Sequence, residues 1–529
     1  MYKSSHPQRP SPCVVAFLIL FFLLLAGAGV RPLGAQPLAQ GLDRFLGGGT
    51  SADISRYLIK YWNQVTPGND GKWGSVEFAQ GTYYWTNLDK IYNYVTTRGL
   101  LYKHHTLVWG QQQPGWITSL DSAGQRQAVE NWIKAVGQRY PKMNFIDVVN
   151  EPIRAPAAYK QALGGDGATG WDWVITAFEL ARKYCTPGVK LLLNEYNILQ
   201  DNAMTDSYIA LINLLRQRGL IDGIGIQGHY FEFRSDTRSA NQYAYSLTTL
   251  KGNLDRIAAL GLPIYITEFD VDEPDDAVQL EQYKIYFKLL WNQPAVKGIT
   301  FWGYIEGDVW TSHPYTYLLK ANGSERAVVP WLRNYVLMPL PPLALSPNGS
   351  NAEVRNPRLV WNTAPLATAY RLQLTTARAF NTTLLDTTLA DTSLQLGKLD
   401  ANGRYYWRVS ARNDKGESDF SAVAFFTTGT TSGVIDPAES APADFTLEQN
   451  YPNPFNPVTT VAFRLAADAK VDLCIFDLLG REVATLFHGR LAAGTHQLHF
   501  DGSALESGSY LYTLKSDHFR VTRRMTLIK

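Results

Sequence analysis

Between positions 101 and 302, short apolar runs recur roughly forty residues apart, and a stretch with helical character separates each from the next. The runs are 101–109, 145–150, 189–194, 221–229, 263–270 and 298–302. Each interval has room for one strand, one helix and two loops. A chain with that rhythm pairs its strands in parallel and packs its helices outside them. Two earlier runs, at 45–49 and 61–66, bring the number to eight, which is what closes a (β/α)8 barrel. The expectation is an α/β domain of the TIM-barrel class over residues 43–336. A doubly wound open sheet is the alternative, and it calls for a glycine-rich phosphate loop after a strand. Gly47-Gly-Gly49 has neither the spacing nor the following helix.

Two of these runs end in a glutamate: Asp147-Val-Val-Asn-Glu-Pro152 and Ile264-Tyr-Ile-Thr-Glu-Phe-Asp270. Buried parallel strands read this way, and their C-terminal tips are where a barrel builds its active site. Glu151 and Glu268 would then face one cleft from different strands. Two carboxylates in one cleft cannot both ionise freely, so one holds a proton while the other is anionic. That division of labour is what splitting a glycosidic bond requires. Asn150 precedes one glutamate, and Asp270 follows the other on the same strand face.

The full chain has 529 residues, too many for a single core. Its net charge is +2 with no basic block, which argues against a nucleic-acid partner. The N-terminal 1–35 reads as a secretory signal: Lys3 and Arg9 lead, an unbroken apolar run fills 14–25, and Ala26-Gly-Ala28 or Ala35 offers a cleavage site. An uncleaved anchor is the alternative, but the run is short for a membrane span. Cys13 lies in that segment. Cys185 and Cys474 fall in different expected domains, so no disulfide is expected between them.

Twelve of the 14 tryptophans lie between Trp62 and Trp331, which marks a boundary near the stiff Met338-Pro-Leu-Pro-Pro342. Beyond it, 343–428 alternates inward and outward residues in short strands, as in Arg404-Tyr-Tyr-Trp-Arg-Val-Ser-Ala411, and reads as a β-sandwich. With Trp361, Leu399 and a tyrosine-corner candidate in Tyr405, it resembles a fibronectin type III module. A Thr/Ser/Gly/Pro-rich linker fills 429–444. The last segment, 445–529, is again all-β. It opens with Gln449-Asn-Tyr-Pro-Asn-Pro-Phe-Asn-Pro457 and ends with Arg523-Arg-Met-Thr-Leu-Ile-Lys529. It resembles the C-terminal sorting domain of the type IX secretion system. That resemblance implies export across an outer membrane, removal of the domain, and a secreted or cell-surface product.

The region 45–332 resembles glycoside hydrolase family 10, the endo-β-1,4-xylanases. The motifs occur in the family's order: Val65-Thr-Pro-Gly-Asn-Asp-Gly-Lys-Trp73, His105-Thr-Leu-Val-Trp109 with Gln112, Pro114 and Trp116, Asn150-Glu151-Pro152, Asn194-Glu-Tyr-Asn197, Gln227-Gly-His229, Thr267-Glu-Phe-Asp270, and Trp302 with Trp310. The resemblance implies Glu151 as general acid/base and Glu268 as nucleophile of a retaining double displacement. It implies that His229 steadies Glu268 and is itself oriented by Asp270 from behind. Asn69, Lys72, His105, Gln112, Asn150 and Gln227 are expected to meet sugar hydroxyls or the carboxylates. Trp109, Tyr196, Trp302 and Trp310, with Tyr230, are candidate faces for sugar rings. His104-His105 is a poor chelate because neighbours on a strand point to opposite faces, so neither a metal nor any other cofactor is assigned.

The chain also departs from the family pattern. Gly68 stands where a glutamate usually precedes Asn69, Gly110 where a histidine usually follows the tryptophan, and Glu195 and Glu306 where aspartates are usual. The expected protein is a monomeric, secreted, retaining endo-β-1,4-xylanase acting on xylan or xylo-oligosaccharides, with the type IX machinery as its export partner. A retaining endo-β-glucanase is the nearest alternative. A non-catalytic polysaccharide-binding protein is the alternative from another class, and the intact pair Glu151 and Glu268 speaks against it.

Overall fold

The structure is a computed structural model that describes residues 36–234, 244–430, 445–477, 482–491, 493–503, 505–516 and 519–528. The expected signal segment and the linker from 431 to 444 lie outside the described residues.

Eight parallel strands close into a barrel in sequence order: β1 (Phe45–Thr50), β2 (Gln64–Pro67), β3 (Leu101–Val108), β4 (Phe145–Asn150), β5 (Lys190–Glu195), β6 (Gly223–Ile226), β7 (Ile264–Phe269) and β8 (Val296–Phe301). Closure comes from β1 pairing with β8, Phe45 opposite Gly298. Two expected runs are trimmed. The stretch 61–66 begins in a short helix, Leu58–Tyr61, and only then becomes β2; the stretch 221–229 keeps Gly223–Ile226 as strand. Apolar content alone did not separate a buried helical turn from a buried strand there.

The helices pack outside the strands for an ordinary reason. Thr86–Thr96 buries Leu88, Ile91, Tyr92 and Val95, one face at helical spacing. Side-chain caps start several others: Asp121 accepts from Gly124 N, Asp201 from Ala203 N and Met204 N, Ser246 from Thr249 N, and Asp275 from Ala277 N and Val278 N. Each satisfies backbone donors that a helix leaves free at its first turn.

The barrel interior is apolar at one end and polar at the other. Phe45, Phe145, Leu192 and Tyr265 form a compact layer from β1, β4, β5 and β7. Gly298 makes that layer possible, because a Cβ there would fall 2.2 Å from the Phe45 ring. Toward the strand C-termini the interior becomes Lys103, His105, Asp147, Asn194 and Glu268, all buried. The ladders of β3, β4 and β7 slip register near these residues, between His105 and Val108, Asp147 and Val149, and Ile266 and Phe269. Such irregularities re-aim side chains, and here they fall on the strands that carry the charged groups.

After the barrel, Arg358–Trp361 pairs antiparallel with Ala344–Ser346, and Ala369–Thr375 pairs with Leu385–Leu389 on one side and Arg404–Asn413 on the other. Trp361, Tyr370 and Trp407 pack together behind these strands. The tail from Thr446 has two sheets of its own around one core that includes Phe455, Val461, Phe463, Leu473, Ile475, Tyr512 and Met525. Cys185 and Cys474 are both free thiols.

Candidate active site

Glu151 lies immediately beyond β4 and Glu268 within β7, both at strand C-termini, and they are only 7% and 4% exposed. Adjacent strands fix their backbones: Glu151 N donates to Asn194 O at 2.8 Å and Glu268 N to Gln227 O at 2.8 Å. Glu151 has φ 53°, in the left-handed region. A residue with a Cβ holds that conformation at a cost of about 1–3 kcal/mol, which the surrounding bonds must offset.

Those bonds are plentiful. Glu151 Oε2 accepts from Trp109 Nε1 at 2.9 Å, and Oε1 accepts from Gln227 Nε2 at 2.9 Å and Asn150 Nδ2 at 3.2 Å. Asn194 Nδ2 donates to Asn150 Oδ1 at 2.8 Å and to Glu268 Oε1 at 2.9 Å, while Thr267 Oγ1 donates to Asn194 Oδ1 at 2.6 Å. The two carboxylates are therefore joined through the amides of Asn150 and Asn194.

Their electrostatic settings differ. His229 Nε2 lies 3.4 Å from Glu268 Oε2, and its Nδ1 lies 2.7 Å from Asp270 Oδ2. Burial pulls the His229 imidazole down, but Asp270 and Glu268 outweigh it and hold the ring up at about 10. Burial pushes the Glu268 carboxyl up. The bond to His229 and the charges of His105, His229 and Lys103 overcome that and bring it down to about 2. Lys103 and His105 share one acceptor beneath the site: Lys103 Nζ is 2.6 Å and His105 Nδ1 2.8 Å from Asp147 Oδ2. Glu268 is thus a buried carboxylate kept anionic by fixed positive charge.

The expected sugar-binding residues gather nearby. Lys72 Nζ donates to Asn69 Oδ1 at 2.9 Å and to Gln112 Oε1 at 2.5 Å, and it stands 4.9 Å from the Trp109 ring centroid. Burial lowers the Lys72 ammonium, and Glu268 and Glu151 oppose that shift. His105 packs its ring 5.4 Å from that of Trp302. Trp310 is 39% exposed, with its ring 4.6 Å from His229. Tyr196 is half-buried against Phe231. Tyr230 departs from expectation. It is buried, its N–H donates to Asp270 Oδ1 and its hydroxyl meets His313, so it supports the site and offers no face to a sugar. His104 and His105 do diverge: His104 packs among Tyr102, Tyr140 and Trp132, while His105 turns to Asp147. Among the described residues no cluster of His, Cys, Asp and Glu could hold a metal ion.

Sequence reasoning gave no role to Asn194, Thr267, Asp147, Lys103 or Phe231. A signal existed for the first four, since each is a polar side chain at a buried position of a barrel strand. Phe231 carries no such mark.

The departures from pattern are also placed. A Cβ on Gly110 would meet the carbonyl oxygens of Ala155 and Pro156 at 2.4 Å, so the loop after Glu151 occupies the space a side chain would need. Gly110 N donates to Ala155 O at 3.0 Å. Buried Glu195 accepts from Ile153 N at 2.9 Å and Tyr196 N at 3.0 Å, so it anchors the same loop. Gly68 is different: its Cβ would find only Thr50 O, at 3.6 Å.

Comparison with known proteins agrees with this geometry. Residues 46–335 match the family model described as glycosyl hydrolase family 10, 346–432 the Rha78A-like N-terminal immunoglobulin domain, and 449–529 the secretion system C-terminal sorting domain. The segment likened to a fibronectin module is therefore immunoglobulin-like. Endo-1,4-beta-xylanase B of Cellvibrio japonicus is 38% identical over 291 residues, covering 54% of this chain and 45% of that protein. Endo-1,4-beta-xylanase B of Thermotoga neapolitana is 29% identical over 315 residues, covering 56% of this chain and 88% of that protein. A solved structure of a family 10 protein from Paenibacillus barcinonensis aligns with a TM-score of 0.50 at 21% identity, over 57% of this chain and 97% of that one, a likeness of fold. The chain spans less than half the length of the Cellvibrio relative.

Proposed function

The chain belongs to glycosyl hydrolase family 10, and from that premise we propose that it is a secreted, retaining endo-β-1,4-xylanase. The observation that carries this reading is the pair of buried carboxylates, Glu151 and Glu268, at the tips of β4 and β7 in unlike surroundings. Glu151 gives its proton to the glycosidic oxygen as the bond breaks. Glu268, held anionic by His229, attacks the sugar carbon and forms a glycosyl-enzyme. Glu151 then takes a proton from water, and the water displaces Glu268. Asn150 and Asn194 hold the two carboxylates in fixed relation. Lys72, Asn69, Gln112, Gln227 and His105 supply donors and acceptors for sugar hydroxyls, and Trp109, Tyr196, Trp302 and Trp310 supply ring faces.

The domain limits proposed are 43–336 for the barrel, 343–428 for the immunoglobulin-like module and 445–529 for the sorting domain. The sorting domain indicates a secreted or cell-surface protein and implies the type IX machinery as partner. A cleavable N-terminal signal and a monomeric state complete the proposal. The test is product release from xylan by the full chain, with Glu268→Ala as control. Xylo-oligosaccharides from the intact protein alone are expected. The space beside Gly68 makes carboxymethyl-cellulose the second substrate to try, and sugar from cellulose alone would sink the xylanase reading.

A further inference from the structure

His229 leaves β6 on a sharp turn. Gly228 has φ 80°, and a Cβ there would fall 2.7 Å from Ile266 Cγ2. The His229 imidazole is held at both nitrogens, by Asp270 and by Glu268. Its backbone is held by Glu232, three residues on. Glu232 Oε1 accepts from His229 N at 2.9 Å and from Gly228 N at 2.7 Å, while Glu232 N donates to His229 O at 2.9 Å. The other oxygen, Oε2, accepts from Asn197 N at 2.7 Å, in the loop after β5.

Glu232 is 1% exposed, so it meets no substrate, and no step of the displacement uses its proton. Burial pushes its carboxyl up to about 7, against the lowering by the His229 charge and the backbone donors. Three N–H groups from two loops converge on this side chain. An ionised carboxylate suits that task because it only accepts; an amide would turn donors of its own against one of them. Only two side-chain torsions separate the His229 backbone from its ring. A shift of the turn is therefore passed on to the contact of Nε2 with Glu268 at 3.4 Å.

We propose that Glu232 is a positioning residue for the nucleophile: by gripping the backbone of His229 it sets the imidazole against Glu268, so that this carboxylate is held anionic and aimed. This rests on the retaining mechanism proposed above.

The test uses the full chain and the variants Glu232→Gln and Glu232→Ala. Glu232→Gln keeps one oxygen for Gly228 N and His229 N but turns an amide toward Asn197 N, so it is the milder change. A misplacement of about 1 Å can cost about 10²-fold in rate. A fall in kcat on xylan of roughly tenfold is expected for Glu232→Gln and more for Glu232→Ala, with KM little changed. NMR titration of the imidazoles identifies His229 by the signal lost in His229→Ala. In Glu232→Gln that ring should titrate below about 10, toward the ordinary 6.5, as its contacts with Asp270 and Glu268 loosen. In a His229→Ala background Glu232→Gln should cost little further kcat, because the residue it acts through is gone. A His229 titration that does not move in Glu232→Gln overturns the proposal. So does an equal loss of kcat with and without His229, which would make Glu232 a support of the loops alone. Wild type that releases nothing from xylan overturns the xylanase reading instead, and the imidazole titration then still decides whether Glu232 holds His229.

Discussion

Asn194 binds Glu268 and the neighbour of Glu151 with one amide group: its nitrogen reaches Glu268 Oε1 at 2.9 Å and Asn150 Oδ1 at 2.8 Å. Both amide protons are used, and the amide oxygen is occupied by Thr267. Asn194→Ala would leave three buried polar groups short of a partner. Each such loss costs about 1–3 kcal/mol. A drop in unfolding free energy of that order and a lower kcat are expected. An unaltered denaturation midpoint would count against the bridge.

Glu151→Gln keeps the size of the side chain and removes its proton. A loss of roughly 10²–10⁴-fold in kcat on xylan is expected. Aryl xylosides with an acidic phenol as leaving group need little protonation, so their bond-breaking step should be largely spared. Steady-state and burst kinetics on both substrates check this; equal losses would deny Glu151 its role as acid.

The ion pair of His229 and Glu268 makes a signed prediction about pH. Glu268 is depressed to about 2, so the stability it contributes is complete above its ordinary 4.5 and is lost as pH falls toward about 2. His229 is raised to about 10, so its contribution is complete below its ordinary 6.5 and is lost as pH rises through about 10. The difference in melting temperature between wild type and His229→Ala should be largest between those ordinary values and narrow on either side. In the same variant the acid limb of kcat/KM should move up from about 2 toward the usual carboxylate range. A pH profile that does not move would show that His229 leaves Glu268 alone.

Gly110→Ala places a methyl 2.4 Å from two backbone carbonyls that cannot swing aside. Overpacking of that kind costs about 1–3 kcal/mol. The displaced loop carries Glu151, so kcat should fall along with the melting temperature. The matched change Gly68→Ala meets only Thr50 O at 3.6 Å and should leave stability nearly unchanged. Equal effects of the two substitutions would contradict the packing described.

The barrel was legible because its strands are buried on both faces and end in side chains that burial alone would reject. Glu151, Glu268 and Asp270 stand out against Val, Ile and Phe for that reason. Asn194 and Asp147 carry the same mark, but their importance lies in what they bond across the barrel, and strand pairing over dozens of residues is not written locally. The start of β2 was missed because Tyr61 and Trp62 are buried whether helical or extended. Tyr230 is a candidate sugar face in the sequence, but its ring is turned inward and its N–H is committed to Asp270, a bond across the barrel that no local pattern shows. Gly110 read as a missing side chain, whereas the structure fills its place with the carbonyls of Ala155 and Pro156.

Among the described residues, the tail core from Leu447 to Leu527 draws its buried apolar members from the tail itself. A unit that closes its own core carries its folding information with it. Such a segment is portable: fused behind an unrelated cargo, it would be expected to fold there as it does here, and so to act as an address label that is indifferent to the enzyme it ships.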